Sequence, residues 1–318
     1  MRGVFLDAAT VDRHDLDLDA LKSSLPDWSI RSTTPVAELV DALRDRDIVI
    51  SNKVPLNREI LQRANSLKLI CVAATGTNNV DLTAAAEQKI TVCNARGYAT
   101  TSVVEHVFSL ILALTRRLND HQNAVHEGKW HAAGSFCLLD YPIRELAGQT
   151  LGIIGYGELG SAVAAMGRAF GMKILIAQRP GGPAQAGRCP LEQLLSQADI
   201  ISLHCPLTDT TRNLIDHPEF ALMDKDTLLI NTARGGIVNE IALRQALASG
   251  QIAGAAIDVL SEEPPHRGNP LLDEPVPNLI VTPHIAWASI NARQSLINEL
   301  SENIHAFLKG EARNVVHA

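Results

Sequence analysis

The sequence predicts an α/β protein with two doubly wound parallel sheets, in which the second domain is inserted into the first. Short β-rich runs alternate with helical segments along both halves of the 318-residue chain. A glycine-rich turn occurs in the second half only, and long helical segments at 102–118 and 288–308 flank that half. We therefore expect residues 1–101 with 288–318 to form the first domain and residues 102–287 to form the second.

The first domain is expected to contain strands at Gly3–Asp7, Ile48–Ser51, Leu69–Ala73 and Ile90–Asn94, with helical segments such as Pro35–Arg46 and Asn57–Ala64 between them. Because no glycine fingerprint occurs in this domain, we do not expect it to hold a nucleotide.

The second domain opens on the apolar run Leu151–Ile154, followed by Gly155, Gly157 and Gly160 at G-x-G-x-x-G spacing. The first glycine permits a tight turn, the second lets a pyrophosphate approach the backbone, and the third lets helix and strand pack closely. A helix at Ser161–Phe170 and a strand at Lys173–Ala177 follow. This context predicts a Rossmann-like dinucleotide site, with phosphates at the backbone of Glu158 and Leu159.

Further strands are expected at Ile200–His204, Leu228–Thr232, Ala255–Val259 and Leu279–Thr282. In an open parallel sheet, ligands bind beyond the carboxyl ends of the strands. The residues that follow the proposed strands are Thr75-Gly76 in the first domain, and Gln178-Arg179, His204-Cys205-Pro206, Thr232-Ala233-Arg234, Asp258 and Pro283-His284 in the second. We expect the active site among them.

Composition narrows the class of protein. The net charge is -7 without a basic stripe, so nucleic acid is not an expected partner. No apolar run reaches the length of a bilayer span, and the amino terminus lacks a signal-peptide pattern. Five scattered cysteines without a C-x-x-C pair are typical of thiols in a reducing compartment, which predicts a cytoplasmic protein.

The segment Asn119–Leu146 is irregular and contains His121, His126 and His131. Their spacing suits no common metal-ligand pattern and no acidic cluster accompanies them, so no metal is expected. We interpret the segment as a surface or subunit-contact arm.

Six blocks in order resemble the D-isomer-specific 2-hydroxyacid dehydrogenase family. They are Thr75–Asp81, Val103–His106, Gly155–Gly160, Asn231–Gly236, Ala256–Pro264 and Thr282–Trp287. Within the family, Pro283–Trp287 and Ser135–Cys137 are most similar to the glycerate dehydrogenase (hydroxypyruvate reductase) branch.

The resemblance implies three catalytic residues. Arg234 would bind the substrate carboxylate and polarise the keto oxygen, a task that suits a planar guanidinium. His284 would exchange a proton with the substrate oxygen, because an imidazole titrates near neutral pH. Glu263 would orient that ring and stabilise its charged form, with the neighbouring Glu262 as the competing carboxylate.

The resemblance also implies the binding residues. Asp258 would accept a hydrogen bond from the nicotinamide carboxamide, and the backbone of Thr75 and Gly76 would hold the substrate carboxylate. Trp287 would narrow the pocket for small acids, or pack at the domain hinge or a partner subunit. The other expected cofactor contacts are Cys205, Pro206, Thr211, Thr232 and Ala233, where Cys205 is expected to pack rather than react.

Cofactor choice depends on Gln178 and Arg179. NAD-specific relatives place a carboxylate at the end of this strand, and its absence leaves nothing to repel a 2′-phosphate, which Arg179 could pair with. The pattern favours NADP(H); NAD(H) or use of both remains open.

The resemblance thus implies a homodimeric enzyme that reduces small 2-keto acids, hydroxypyruvate or glyoxylate, to D-2-hydroxy acids. A nucleotide-sensing, corepressor-like binding protein of the same fold is the alternative, although the chain lacks the low-complexity segments that regulatory partners use. A phosphorylated-acid dehydrogenase is disfavoured because no regulatory domain follows.

Overall fold

The chain folds as two compact α/β units in the computed structural model, which describes residues 1–179, 182–183 and 185–317. One unit comprises residues 1–99 with the segment from Trp287 onward, and the other is Thr100–Ala286. The predicted class, two parallel-sheet α/β domains, is confirmed. The chain passes from the first unit to the second between residues 99 and 100, where the prediction was 101/102. It returns between residues 286 and 287, where the prediction was 287/288.

The first unit contains a five-stranded parallel sheet of order β2-β1-β3-β4-β5. Its strands are β1 (Arg2–Phe5), β2 (Asp27–Ile30), β3 (Ile48–Ser51), β4 (Leu69–Val72) and β5 (Thr91–Cys93). Its helices are α1 (Asp19–Ser23), α2 (Leu39–Leu43), α3 (Arg58–Arg63), α4 (Leu82–Glu87) and the final helix α12 (Ile290–Leu308), with 3₁₀ turns at Ala8–Thr10 and Val36–Glu38.

Two features of this unit differ from the sequence prediction. Strand β2 was not predicted, because Asp27-Trp-Ser-Ile is a half-exposed edge strand without a continuous apolar run. The helix expected at Pro35–Arg46 is instead a 3₁₀ turn followed by the five-residue α2.

The second unit contains a six-stranded parallel sheet of order β11-β10-β9-β8-β6-β7. Its strands are β6 (Thr150–Ile154), β7 (Lys173–Ile176), β8 (Ile200–Leu203), β9 (Leu228–Asn231), β10 (Gly254–Ile257) and β11 (Leu279–Val281). Its helices are α5 (Thr100–Thr115), α6 (Leu118–His126), α7 (Lys129–Ala132), α8 (Glu158–Ala169), α9 (Leu191–Gln197), α10 (His217–Leu222) and α11 (Glu240–Ala248).

The strand order reverses at β6, which lies between β7 and β8. In open parallel sheets this switch point is where a ligand crevice forms. The central strands β8, β9 and β10 are buried along their whole length, as their apolar sequences predict. The sheet therefore provides a fixed base for the loops at its carboxyl edge.

Helix boundaries in the second unit also correct the prediction. The helix expected at 102–118 ends at Thr115, because Arg117 adopts a left-handed conformation with φ of 52° before α6 begins. The segment expected to be irregular contains α6 and α7. Helix α8 begins at Glu158, three residues earlier than expected, so that Gly160 lies within it. In the described part of the chain, no helix combines the length and apolarity that crossing a bilayer requires.

Candidate active site

The glycine turn joins β6 to α8 at the switch point. Gly155 has a φ of 95°, and a Cβ atom there would lie 2.5 Å from the backbone N of Cys205, so only glycine fits. A Cβ at Gly160 would collide with the carbonyl of Gly155, which is the close helix–strand packing predicted for the third glycine. A Cβ at Gly157, by contrast, would meet nothing within 4 Å. The turn is therefore closed on its protein side and open at Gly157.

Two further observations fit a bound dinucleotide at this edge. The 12-residue helix α8 begins directly after Gly157, and its first N–H groups lack partners within the helix. The hydroxyl of Thr232, at the end of β9, is buried and has no hydrogen-bond partner among the described residues. A buried hydroxyl without a partner is costly, and a polar ligand atom would satisfy it. The side chain of Glu158 accepts a hydrogen bond from Thr100.

Gln178 and Arg179 follow β7 on the neighbouring loop. The backbone N–H of Gln178 donates to Cys189 O at 2.8 Å, which ties the two ends of this loop together. Gln178 is half-buried and Arg179 is exposed. The sequence analysis missed Arg188, whose guanidinium carbon lies 6.0 Å from the ring centroid of Tyr156 in the glycine turn. Arg188 reaches the glycine turn only because the chain comes back to Gln178 at Cys189.

The loop after β8 is fixed by its own hydrogen bonds. The hydroxyl of Thr211 donates to Pro206 O at 2.6 Å and accepts from Thr208 N at 2.7 Å. Burial raises the pKa of the Cys205 thiol to about 11, so this cysteine is not a nucleophile at neutral pH. Cys205 belongs to the core cluster of this unit, in keeping with the packing role expected for it.

Glu263 and His284 form a hydrogen-bonded pair at the carboxyl edge. His284 Nδ1 lies 2.6 Å from Glu263 Oε2, and Leu260 N donates to Glu263 Oε1 at 2.8 Å. A carboxylate can only accept, so we assign a proton to Nδ1. The His284 side chain is 28% exposed and therefore accessible.

The competing carboxylate, Glu262, is bound elsewhere. Its Oε2 accepts hydrogen bonds from Arg267 Nε at 2.9 Å and Nη2 at 2.6 Å. Arg267 therefore lowers the pKa of Glu262, against a smaller effect of burial. The structure thus brings Glu263, and not Glu262, to the histidine.

Asp258 is 1% exposed and binds the loop that carries His284. Its Oδ1 accepts from the Thr282 hydroxyl at 2.6 Å and from Ile285 N at 2.9 Å, and its Oδ2 accepts from Ala286 N at 2.9 Å. Burial raises the pKa of this carboxyl, but the nearby His106 ring and hydrogen bonds from Thr282 and the backbone outweigh burial and lower it below the usual value. Asp258 is therefore ionised, and Oδ2 retains capacity for one further donor, such as the expected carboxamide.

Arg234 lies on the loop after β9, beside the loop of Glu263. Asn231 is buried and fixes this loop, since its Nδ2 donates to Arg234 O at 3.0 Å and its Oδ1 accepts from Ala233 N at 3.0 Å. The Arg234 guanidinium donates to Ala233 O at 2.7 Å. A Cβ at Gly235 would collide with the carbonyl of Leu260, so the two loops are in direct contact.

Glu240, at the start of α11, is a second residue that the sequence analysis missed. Its carboxylate accepts from Ser261 N and Ser261 Oγ, both at 2.7 Å, and from Asn269 Nδ2 at 2.9 Å. These bonds fix the segment between Leu260 and Glu263. No local sequence signal identifies such a role, because acidic residues such as Glu240 are common in the first turn of any helix.

Thr75, Gly76 and Trp287 belong to the first unit. Thr75 and Gly76 follow β4, where the Thr75 hydroxyl donates to Ala95 O at 3.0 Å and Asn94 Nδ2 donates to Thr75 O at 2.7 Å. The ring of Trp287 meets Tyr98 edge-on, with centroids 6.3 Å apart. Trp287 therefore has a packing role in this unit.

No group of three or more metal-ligating side chains that could hold an ion occurs within residues 1–179, 182–183 and 185–317.

Comparison with known proteins gives a consistent result. Residues 108–286 match the model of the D-isomer specific 2-hydroxyacid dehydrogenase, NAD binding domain. The chain is 46% identical over 310 residues to a glycerate dehydrogenase of Methylorubrum extorquens, covering 97% of this chain and 98% of the relative. It is 38% identical over 324 residues to a hydroxypyruvate reductase of Blautia hydrogenotrophica, covering 100% of both. Among solved structures, an acyclic imino acid reductase in complex with NADPH and D-Arg superposes with a TM-score of 0.87 at 27% identity, over 99% of this chain and 100% of that one.

His204 gives a prediction about pH and stability. Its Nδ1 is buried without a partner among the described residues, and burial lowers the pKa of the ring from 6.5 to about 4. Below pH 6.5 the unfolded chain binds a proton at this histidine that the folded chain does not. The contribution of neutral His204 to the free energy of unfolding is therefore complete above pH 6.5 and is lost as the pH falls toward 4. The full loss is about 3 kcal/mol, from 1.36 kcal/mol per pKa unit.

We expect the apparent free energy of unfolding, from urea titrations at pH 7, 5.5 and 4.5, to fall more steeply for the wild type than for His204→Gln. Glutamine keeps a polar group near Ser202, whose hydroxyl lies 2.8 Å from His204 Nε2, but does not titrate. Equal slopes for the two proteins would contradict the prediction.

Proposed function

The chain belongs to the D-isomer specific 2-hydroxyacid dehydrogenase family, and from this premise we propose that it reduces small 2-keto acids, hydroxypyruvate and glyoxylate, to D-glycerate and glycolate. The family makes it a nicotinamide-dependent oxidoreductase that acts on CH–OH groups. The observation that carries the proposal is the 2.6 Å contact between His284 Nδ1 and Glu263 Oε2 at the carboxyl edge of the nucleotide-binding sheet. The names of the two relatives support hydroxypyruvate and glycerate as one substrate pair.

The proposed proton path uses this pair. A nicotinamide dinucleotide, when bound, supplies the hydride for reduction and accepts it in the reverse direction. In the direction of reduction, protonated His284 donates from Nε2 to the substrate oxygen. Glu263 holds Nδ1–H throughout, so the ring keeps its orientation and its positive charge is stabilised before transfer. In the reverse direction, neutral Nε2 accepts the proton from the hydroxyl group.

Binding of the substrate carboxylate is assigned to Arg234, whose guanidinium can bind two oxygens in parallel. Within the first unit, Thr75 and Gly76 are proposed to contribute backbone N–H groups, and Trp287 is proposed to restrict substrate size. The dinucleotide would be held by the glycine turn with Glu158 and Leu159, by Cys205, Pro206 and Thr211, by Thr232 and Ala233, and by Asp258. The buried Thr232 hydroxyl, which has no partner in the described part of the chain, supports this assignment.

Catalysis is tested with a matched pair of carboxylate variants. We expect His284→Ala to lower kcat for NADPH- or NADH-dependent reduction of hydroxypyruvate and glyoxylate by about 10²- to 10⁴-fold, the usual contribution of a general acid. Glu263→Gln is expected to lower kcat as well, whereas Glu262→Gln, which loses only the contact with Arg267, is expected to leave it unchanged. Initial rates of cofactor oxidation measure all three.

Two outcomes would contradict the proposal. Full activity in His284→Ala would exclude the proton path. A wild-type protein that binds cofactor tightly but turns over none of hydroxypyruvate, glyoxylate and pyruvate would favour the nucleotide-sensing alternative.

We propose that NADP(H) is the preferred cofactor. No carboxylate follows β7 to repel a 2′-phosphate, Arg179 is exposed at that point, and Arg188 adds a second cation beside the glycine turn. The imino acid reductase with NADPH shows that the same fold accepts this cofactor in another protein.

Replacement of Arg179 tests the preference. We expect Arg179→Ala to raise KM for NADPH by about tenfold, equivalent to about 1.4 kcal/mol, and to change KM for NADH by less than about twofold. Arg168→Ala, at the exposed far end of α8, serves as the control and is expected to change neither constant. An equal effect of Arg179→Ala on both cofactors would contradict the proposal.

We propose a homodimer formed through the arm Asn119–Leu146. Phe136 is 90% exposed and Leu139 is 82% exposed, and large apolar side chains in such positions are typical of contact surfaces. A reducing, cytoplasmic location is inferred from the five free cysteines, of which Cys71, Cys93 and Cys205 are buried thiols.

Light scattering tests the dimer. The wild type is expected to have about twice the chain mass of 34.3 kDa, and Phe136→Asp/Leu139→Asp is expected to have the mass of one chain. Val36→Asp places the same charge on an exposed apolar residue of the first unit and is expected to leave the mass unchanged. A monomeric wild type would refute the assignment.

A further inference from the structure

His284 is held in an unfavourable backbone conformation. Its φ of 54° lies in the left-handed region, which costs a non-glycine residue free energy unless the surroundings fix it. The backbone N–H of His284 is bound by the carbonyl groups of Asp258 at 2.8 Å and Thr282 at 3.0 Å. Such a conformation persists only where several contacts determine it, so the residues that fix the loop 282–286 control where the imidazole lies.

Helix α5 contacts both ends of this loop. The Ser102 hydroxyl donates to Ala286 O at 2.7 Å, and His106 Nε2 lies 3.1 Å from Thr282 Oγ1. Ser102 and His106 are four residues apart, so they lie on the same face of the helix. One rigid helix therefore determines the distance between the two ends of the loop.

The hydrogen atoms on this network can be assigned. The Thr282 hydroxyl has a single proton, and it donates that proton to the ionised Asp258 at 2.6 Å. The hydroxyl must then accept from His106, so the His106 proton is on Nε2. His106 Nε2 also lies 3.5 Å from Asp258 Oδ1, which adds a favourable electrostatic contact. The chain of donors thus runs from His106 through Thr282 to Asp258, and Asp258 binds the N–H groups of Ile285 and Ala286.

We propose that His106 and Ser102 are positioning residues for the reaction: they hold the 282–286 loop, and through it His284, in the geometry that proton transfer requires. This inference rests on the proposed role of His284 but adds residues that neither touch the substrate nor exchange the proton. The sequence block Val103–His106 by itself indicates no role for its histidine. The hydrogen bonds to Thr282 and Ala286 supply one.

Paired substitutions separate positioning from general stability. We expect His106→Leu, which fills the space but cannot donate, to lower kcat for hydroxypyruvate reduction by about 10- to 100-fold, with the dissociation constants for NADPH and NADH and the urea midpoint close to those of the wild type. His106→Gln can donate from its amide near the position of Nε2 and is expected to recover most of the activity. Ser102→Ala is expected to have a smaller effect. Ser109→Ala removes only the hydrogen bond from an exposed hydroxyl to the backbone carbonyl of His106 and leaves the imidazole contacts in place, so it serves as the control and is expected to have no effect.

A second measurement does not depend on turnover. In ¹⁵N-histidine NMR spectra of the whole protein, the His106 signals, identified by their absence in His106→Gln, are expected to show the Nε2–H form. The ¹⁵N ring signals of His284 are expected to change position in His106→Leu and to stay in place in Ser109→Ala. Absence of turnover in the wild type would refute the proposed function alone, because these spectra still test the inference.

Three results would overturn the inference. One is wild-type kcat in His106→Leu, another is an equal loss of kcat in His106→Leu and His106→Gln, and the third is an Nδ1–H form of His106. Should His106→Leu fail to fold, the tautomer of His106 in the wild type still decides the question.

Discussion

Three hydrogen bonds converge on the buried carboxylate of Asp258, and the loop that carries His284 depends on them. The Thr282 hydroxyl and the N–H groups of Ile285 and Ala286 are its donors. A buried, ionised carboxylate is stable only when donors surround it, and a loop with a left-handed residue is stable only when its backbone is fixed. The loop supplies the donors that the carboxylate needs, and the carboxylate fixes the backbone of the loop. The conformation of the loop and the charge of Asp258 therefore stabilise one another.

The surroundings give three neighbouring carboxylates different tasks. Asp258 is buried among donors and fixes backbone; Glu262 pairs with Arg267 at the surface; Glu263 is partly exposed and accepts from His284. Their side chains have nearly the same chemistry. The donor that each meets, and the amount of water around it, decides which of them can act on an imidazole whose charge changes during a reaction.

The parallel sheet collects these groups at one edge. Strands β6, β8, β9 and β10 all point the same way, so the glycine turn, Cys205, Arg234 and Asp258 follow strand ends that lie side by side. The loops are also in contact with one another, because Gly155 packs against the backbone of Cys205 and Gly235 packs against the backbone of Leu260. A rigid edge of this kind can hold charged and polar groups in fixed geometry without a loss of conformational entropy at each encounter with substrate.

The sequence alone determined the two parallel sheets, the glycine turn and the loops on which Arg234, Glu263 and His284 lie, because apolar runs, glycine spacing and strand ends are local properties of the chain. It left the short helix α2, the edge strand β2 and the start of α8 undetermined, because marginal elements owe their form to packing. Contacts between distant residues decided the remainder. They pair Glu263, rather than Glu262, with His284 and place Arg188 beside Tyr156. They also bind Glu240 to Ser261, and His106 and Ser102 to the loop that carries His284. Contacts that join residues 21 to 184 positions apart leave no pattern in a single sequence, and only the tertiary fold brings their partners together.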